Sequence, residues 1–191
     1  MATDMQEFSD RSAMVNALAK RITTILKDAI RVRGAASLIV SGGTTPKALF
    51  EVLSGVELPW RQVTASLADE RWVDTASPDS NEYLVRTSLL VNKAAAAQFV
   101  PLKGRRGSPR QNESACEAAL KKIPSPFDVV LLGMGDDGHT ASLFPEAEGL
   151  DEALDMNSGR QCMAVTPKVL PAHAPYPRMS MTLPRLLESR R

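Results

Sequence analysis

Residues 36–46 read Ala36-Ser-Leu-Ile-Val-Ser-Gly-Gly-Thr-Thr-Pro46, and this stretch sets the fold class. Its first five residues form an apolar run between glycines, which predicts a buried strand. Thr45 and Pro46 predict the start of a helix, with Thr45 as the cap and Pro46 at the first position. A buried strand that leads directly into a helix is the repeating unit of a parallel α/β sheet.

The same alternation extends in both directions along the chain. Apolar residues recur every three or four positions after Asp10, which predicts an amphipathic helix capped by that residue. Further strands are predicted near 63–67, 98–102, 127–132 and 161–166, with helices near 81–90 and 111–123 and a last helical stretch entered at 179–183. The sequence therefore predicts a single domain over residues 1–191, with a mainly parallel sheet and helices on both faces.

Composition narrows the classes of function. The chain has 23 basic and 22 acidic residues, a net charge of +1, which argues against nucleic-acid and membrane partners. Cys116 and Cys162 are far apart in sequence and form no metal motif, so they are expected to be small buried side chains. The polar N-terminus does not resemble a secretion signal, and no apolar run approaches about 20 residues. We therefore expect a cytoplasmic protein.

Ligands of an open parallel sheet bind beyond the carboxyl ends of its strands, and three unusual polar stretches follow predicted strands. In the first, Gly42 and Gly43 allow a close backbone approach, and the helix that follows offers free N–H groups. With Thr44 and Thr45 they predict a phosphate cradle. The stretch lacks the spacing of a nucleotide P-loop, so a monophosphate fits better than a triphosphate. The alternative is a simple glycine turn with a threonine cap.

The second stretch is Asp69-Glu70-Arg71-Trp72, which is followed by Asn81. Two carboxylates and a guanidinium at a strand end can bind hydroxyls and an anion together, as a sugar phosphate requires. The alternative is a solvated turn, in which charged residues are common.

The third stretch is Gly133-Met-Gly-Asp-Asp-Gly-His-Thr140. It contains a formal GxGxxG, but it follows the fourth predicted strand rather than the first, and its aspartates would face a pyrophosphate, which weakens a nicotinamide interpretation. His139 is a residue type that titrates near neutral pH, and Asp137 is close enough in sequence to orient it. We expect His139 to be a general base and His173 to be a bystander.

Together the motifs at 41–46, 69–72 with 80–81, 133–145 and 177–183 resemble the 6-phosphogluconolactonases, in order and with fitting gaps. The resemblance implies the modified doubly wound α/β fold shared with glucosamine-6-phosphate deaminase. The deaminase pattern has a glutamate that helps to open the sugar ring, and Phe144 stands at that position here. The lactonase interpretation is therefore favoured over a deaminase-like enzyme.

The resemblance implies hydrolysis of 6-phospho-D-glucono-1,5-lactone, with His139 and Asp137 as the catalytic residues and no metal or organic cofactor. Its binding partner would be a small sugar-phosphate lactone. The protein itself would be a monomer or a weak homo-oligomer. The implied substrate-binding residues are Gly42, Gly43, Thr44, Thr45 and Arg178 for the phosphate, with Arg71 as a further candidate for substrate or phosphate contact. Asp69, Glu70 and Asn81 would bind hydroxyls or shape the pocket, and Gly135 lies in a loop whose N–H groups would stabilise an oxyanion.

Similar proteins continue beyond the segment that ends this chain, with another strand, a closing helix and a lysine that resembles a second phosphate ligand. We therefore expect this chain to have an open sheet edge and one phosphate ligand fewer than those proteins. A sugar-phosphate-binding domain with weak or no activity is the alternative that this difference leaves open.

Overall fold

The computed structural model describes residues 5–104, 107–169 and 174–190. Short 3₁₀ helices, Trp60–Gln62 and Asn92–Ala96, precede the second and fourth strands. The strands are β1 (Ala36–Val40), β2 (Val63–Leu67), β3 (Asp69–Arg71), β4 (Gln98–Val100), β5 (Val129–Leu131), β6 (Cys162–Val165) and β7 (Arg178–Met181). The helices are α1 (Arg11–Arg33), α2 (Thr44–Ser54), α3 (Asn81–Ser88), α4 (Pro109–Leu120), α5 (Leu150–Leu154) and α6 (Leu183–Leu187).

A parallel sheet with the order β4-β2-β1-β5 forms the centre of the fold and confirms the predicted α/β class. Every residue of β1 is buried, because the sheet is flanked by helices and α1 packs against β1 and β5. Asp10 accepts a hydrogen bond from the Ala13 amide, so it caps α1 as predicted. The helix ends at Gly34, whose positive φ of 76° suits glycine.

A second, antiparallel sheet with the order β3-β7-β6 was not predicted. Ala68 connects the two sheets, because its amide donates to Val40 and its carbonyl accepts from Met181, each at 2.8 Å. The chain thus passes from β2 directly into β3, so the polar stretch expected to follow a strand is itself a strand and not the solvated turn of the alternative interpretation. Met179 likewise lies in β7, and the last helix begins only at Leu183.

The start of α2 also differs from the prediction. The cap is Gly43 rather than Thr45, and no side chain caps this helix end. Gly43 has φ 118°, a conformation that a threonine would rarely adopt. The helix therefore begins two residues earlier than a cap at Thr45 would allow, and Pro46 is its third residue.

The last described residues form backbone hydrogen bonds with Phe127, just before β5. The Phe127 amide donates to Glu188 at 2.9 Å, the Arg190 amide donates to Phe127 at 2.7 Å, and Ser189 bridges Phe127 in parallel. Among the described strands, β5 itself pairs only with β1. Cys116 and Cys162 are both buried free thiols, as expected. No described helix is long and apolar enough to cross a membrane.

Candidate active site

A cavity of about 220 Å³ opens where the polar stretches after β1 and β5 meet the strands β3 and β7. All three motifs singled out in the sequence contribute to it, as the rule for parallel sheets predicts. Its lining residues are Ser41, Gly42, Asp69, Arg71, Asn81, Gly133, Met134, Gly135, His139, Ala141, Ser142, Phe144 and Arg178.

His139 and Asp137 form a close side-chain pair at the mouth of this cavity. The Nδ1 atom of His139 contacts Oδ1 of Asp137, which also accepts the backbone N–H of His139 at 3.2 Å. These hydrogen bonds lower the pKa of Asp137, so its carboxylate stays ionised beside the ring. An ionised carboxylate at Nδ1 favours the tautomer with its proton there. Nε2 is then the nitrogen that can accept a proton.

Two glycines shape the loop that carries this pair. The Gly138 amide donates to Gly135, and the Gly135 amide donates to His139, each at 2.9 Å. Gly138 has φ 81°, and a Cβ on Gly135 would lie 2.3 Å from Nδ1 of His139. Gly135 lines the cavity, and its lack of a side chain leaves room for the His139 ring. Because the amides of Gly135, Gly138 and His139 are all used within the loop, they do not provide the expected oxyanion donors.

Arg71 and Arg178 lie directly opposite each other in the β3–β7 ladder. Like charges at opposed positions destabilise a strand pair, so a bound anion would stabilise this arrangement. Arg71 donates to the Asp79 carbonyl at 2.7 Å and Arg178 to the Ala174 carbonyl at 2.9 Å. Neither guanidinium forms an ion pair with a carboxylate among the described residues. Their opposition supports the expected role of both arginines as anion ligands.

Arg178 has buried N–H groups that no protein group satisfies. Its side chain is 3% exposed, and both Nε and Nη1 lack an acceptor in the described structure. Burial, and then the charge of Arg71, lower the pKa of Arg178. Unsatisfied buried donors are rare in native proteins and call for a partner. A phosphate oxygen could accept hydrogen bonds from both atoms. Because both atoms are shielded from solvent, the side chain would have to move slightly to reach it.

A hydrogen-bonded group of polar side chains closes the floor of the cavity. Asn81 donates through Nδ2 to the Asp69 carbonyl at 2.9 Å, and Ser142 donates to the Asp69 carboxylate. The Oδ1 atom of Asn81 has no partner in the described structure, and a Cβ on Gly42 would lie 1.9 Å from it. Gly42 therefore lets the first loop approach α3 closely. Asp69 and Asn81 remain candidates for substrate hydroxyls.

Glu70 does not line the cavity, so of its two expected roles its surroundings favour shaping the pocket over contacting substrate hydroxyls. It is fully buried and accepts from the amides of Arg71, Asn81 and Glu82 and from the hydroxyl of Ser80, at 2.7–2.9 Å. Burial raises the pKa of Glu70, and these hydrogen bonds oppose the rise. Its carboxylate satisfies the free N–H groups at the start of α3.

The predicted phosphate cradle is divided between two cavities. Gly42 lines the main cavity, whereas Gly43 and Thr44 line a second one of about 590 Å³. Arg71 lines both, so the two spaces meet at this guanidinium. Thr45 is exposed and lines neither of them. His173, which was expected to be a bystander, lies outside the described residues.

Ser142 and Phe144 are among the residues that line the cavity and to which sequence reasoning gave no role in the site. Ser142 is buried between Asp69 and Ser180, and its amide donates to the Ser180 hydroxyl at 3.3 Å. Phe144 stacks on the ring of His139 with ring centroids 4.0 Å apart. In the sequence, Phe144 was notable only because it stands where the deaminase pattern has a glutamate. Its position five residues after His139 gives no periodic signal for a stacked pair.

Comparisons of the sequence with known proteins point to one family. Residues 9–191 match the family model described as glucosamine-6-phosphate isomerases/6-phosphogluconolactonase. A 6-phosphogluconolactonase of Mesorhizobium japonicum is 45% identical, and the match covers 95% of this chain and 75% of that protein. The corresponding protein of Pseudomonas aeruginosa is 42% identical, with 95% and 74% covered.

Solved structures agree at the level of the fold. A 6-phosphogluconolactonase from Shewanella baltica superposes with a TM-score of 0.90 at 42% identity, covering 96% of this chain and 76% of that one. A monomeric glucosamine-6-phosphate deaminase has a TM-score of 0.76 at 15% identity, over 97% of this chain and 78% of that one, which shows a shared fold alone. The chain therefore belongs to the glucosamine-6-phosphate isomerase/6-phosphogluconolactonase family.

Proposed function

We propose that this chain hydrolyses 6-phospho-D-glucono-1,5-lactone to 6-phospho-D-gluconate, the second step of the oxidative pentose phosphate pathway. The names of its relatives at 40–45% identity support this reaction. One structural observation carries the proposal. A histidine paired with an ionised carboxylate shares a cavity with two arginines that form no ion pair with any carboxylate of the described residues.

The chemistry follows from this arrangement. Nε2 of His139 removes a proton from water, and the water oxygen attacks the lactone carbonyl to give a tetrahedral oxyanion. The bond from that carbon to the ring oxygen then breaks, and His139 returns the proton to the departing oxygen. Asp137 holds the ring and stabilises the imidazolium that forms between the two transfers. The attacked carbonyl is already electrophilic, so these residues suffice for hydrolysis.

Arg71 and Arg178 would hold the phosphate of the substrate. A dianionic phosphate between two opposed guanidiniums relieves their repulsion, and a guanidinium can bind two phosphate oxygens at once. Gly42, Gly43 and Thr44 lie beside Arg71 and offer backbone contacts at the start of α2. Anchoring the phosphate at a fixed distance from His139 would place the lactone carbonyl at the base.

The cavity suits a lactone better than an amino sugar. Opening a sugar ring and moving an amino group require proton transfers at several atoms, and hence more than one acid or base. Among the described lining residues, Asp69 is the carboxylate, and it is held by Ser142 and Asn81. Phe144 places an apolar ring beside His139 instead of a second carboxylate. His139 is thus the group suited to transfer protons here.

We further propose that residues 1–191 act as one domain in the cytoplasm, as a monomer or a weak homo-oligomer. The two sheets share Ala68 and one hydrophobic core, which supports a single folding unit. Light scattering across a concentration series tests the oligomeric state. A tight oligomer at micromolar concentration would contradict that part of the proposal.

The reaction is tested with freshly generated lactone, because this ester also hydrolyses without enzyme. Acid release is followed by pH-stat with and without protein, and the assay is repeated with glucosamine 6-phosphate and with NADP. We expect acceleration with the lactone, no ammonia from the amino sugar and no reduction of NADP. Saturable binding of 6-phosphogluconate without acceleration would support a binding domain instead and overturn the proposed activity.

A further inference from the structure

We propose that Phe144 is a positioning residue that holds the plane of the His139 ring while Asp137 holds its edge. The inference deepens the proposed function and rests on it, because the effect on turnover is read from lactone hydrolysis. Phe144 touches His139 rather than the reacting atoms, so its contribution acts through the base.

The contact has the geometry of a stacked pair. The two ring centroids are 4.0 Å apart, and the ring planes differ by 28°. Phe144 is half-buried, lines the cavity and packs against the hydrophobic core, whereas the loop before His139 is exposed. The stack therefore attaches a ring on a solvent-exposed loop to a side chain that the core holds in place.

His139 needs this second restraint because its first one is local. The Asp137 carboxylate binds a single ring atom, Nδ1, and its own side chain is 51% exposed. One hydrogen bond fixes the position of that nitrogen but leaves the ring plane free to turn about it. A stacked aromatic ring restricts this rotation, and such pairs contribute about 0.5–1.5 kcal/mol beyond their buried area. The two contacts together determine where Nε2 points.

Phe144 also lies between the base and the anion site. The guanidinium carbon of Arg178 is 5.8 Å from the centroid of the Phe144 ring, on the outer limit of a cation–π contact. The contact with His139 is much closer. Loss of the aromatic ring should therefore misplace the base more than it weakens phosphate binding, and lower kcat more than it raises KM.

Phe144→Leu and Phe144→Tyr test the proposal, with Phe99→Leu as the matched control. Phe99 is also half-buried and lies under an arginine, with the Arg86 guanidinium 4.9 Å from its ring centroid, but it does not line the cavity. Because small misplacements of a catalytic group are costly, Phe144→Leu should lower kcat about tenfold and change KM less than about threefold. Phe144→Tyr and Phe99→Leu should keep kcat within about threefold of wild type.

A second measurement does not depend on turnover. In histidine-labelled protein, the ring signals of His139 are identified by their loss in His139→Gln. Stacking places these ring protons in the shielding region of Phe144, so they should lie upfield in wild type and Phe144→Tyr and move downfield in Phe144→Leu. Wild type is measured directly, so this test stands even if Phe144→Leu fails to fold.

The outcomes separate the two proposals. Unshifted His139 signals in wild type, or a kcat of Phe144→Leu equal to that of Phe99→Leu, would overturn the positioning role. An inactive wild type with upfield His139 signals that require Phe144 would instead overturn the proposed reaction and leave the ring contact established.

Discussion

The His139 side chain depends on Asp137 for its tautomer and for its charge balance. Asp137→Asn keeps the shape of the contact but removes the negative charge that stabilises an imidazolium. We expect kcat to fall by about 10- to 100-fold, because the imidazolium that forms during the reaction loses its counter-charge. Steady-state rates on fresh lactone measure this loss.

A suitable control for this change lies next to it in the sequence. Asp136 is also an exposed acid in the loop, but no hydrogen bond joins it to His139 within the described structure. Asp136→Asn should leave kcat close to that of wild type. If both variants lost kcat equally, a general effect of loop charge would replace the specific role of Asp137.

Gly135 is where this loop has no room for a side chain. A Cβ there would lie 2.3 Å from Nδ1 and Cε1 of His139 and 2.8 Å from Oδ1 of Asp137, so Gly135→Ala must separate the catalytic pair. A Cβ on Gly133, in the same loop, would meet nothing within 4 Å. We expect Gly135→Ala to be at least tenfold slower than Gly133→Ala, with similar melting temperatures. Equal rates for the two variants would contradict this steric account.

The pairing of β3 with β7 is the element on which the anion site depends. It aligns Arg71 with Arg178, and it places Glu70 beneath the start of α3. One three-residue strand thus contributes to the cavity through its first and third residues and supports a helix through its second. Alternation of side chains across a strand explains how adjacent residues can have such different surroundings.

Glu70 should matter for stability rather than for chemistry. Glu70→Gln keeps the shape but replaces one of two accepting oxygens with a donor that faces N–H groups, which should cost roughly 2 kcal/mol. Urea denaturation measures this loss, and kcat of the folded variant should stay within about threefold of wild type. A kcat loss of a hundredfold in stably folded protein would restore a direct role in the reaction.

The same variant has a defined pH dependence. Burial raises the pKa of Glu70 in the folded state above its ordinary value of 4.5. The folded protein then binds the carboxyl proton of Glu70 more tightly than the unfolded chain does. The stability that this proton contributes is fully present below pH 4.5 and is lost as the pH rises through the folded-state pKa. The stability gap between wild type and Glu70→Gln should therefore narrow as the pH rises through that window. A widening gap would show that the hydrogen bonds outweigh burial.

Much of this architecture could be predicted from the sequence. The buried run Ala36–Val40 and the polar stretches that follow the parallel strands placed the site, because ligand sites of such sheets lie at one edge. The second sheet could not be found in this way. Asp69–Arg71 is charged throughout, and it is a strand only because Ala68 and Arg178 supply non-local partners. Burial of Glu70 and stacking of Phe144 likewise depend on contacts that no local pattern reveals.

Across the whole molecule, Asp128 joins segments that are distant in the chain. Its buried carboxylate accepts the Ser37 amide at 2.9 Å and contacts the Arg33 guanidinium, and Nε of Arg190 lies 3.7 Å away. It therefore connects the end of α1, the start of β1 and the segment before β5. Loss of this carboxylate leaves buried donors without an acceptor.

We expect Asp128→Ala to lower the free energy of unfolding by about 3 kcal/mol, as measured by urea denaturation. Asp28 is the matched control, because its pair with Arg31 is exposed on both sides. Asp28→Ala should change stability by no more than about 0.5 kcal/mol. Similar losses in the two variants would show that Asp128 is not a structural junction.

The central claim is that His139 activates water for hydrolysis of the phosphorylated lactone. The most direct test is to measure the enzyme-dependent rate on fresh 6-phosphogluconolactone for wild type and His139→Gln, after confirming by circular dichroism that both are folded. The account predicts a fall in kcat of about 10²-fold or more in His139→Gln, with little change in the affinity for 6-phosphogluconate. A His139→Gln variant that hydrolyses the lactone at nearly the wild-type rate would contradict it.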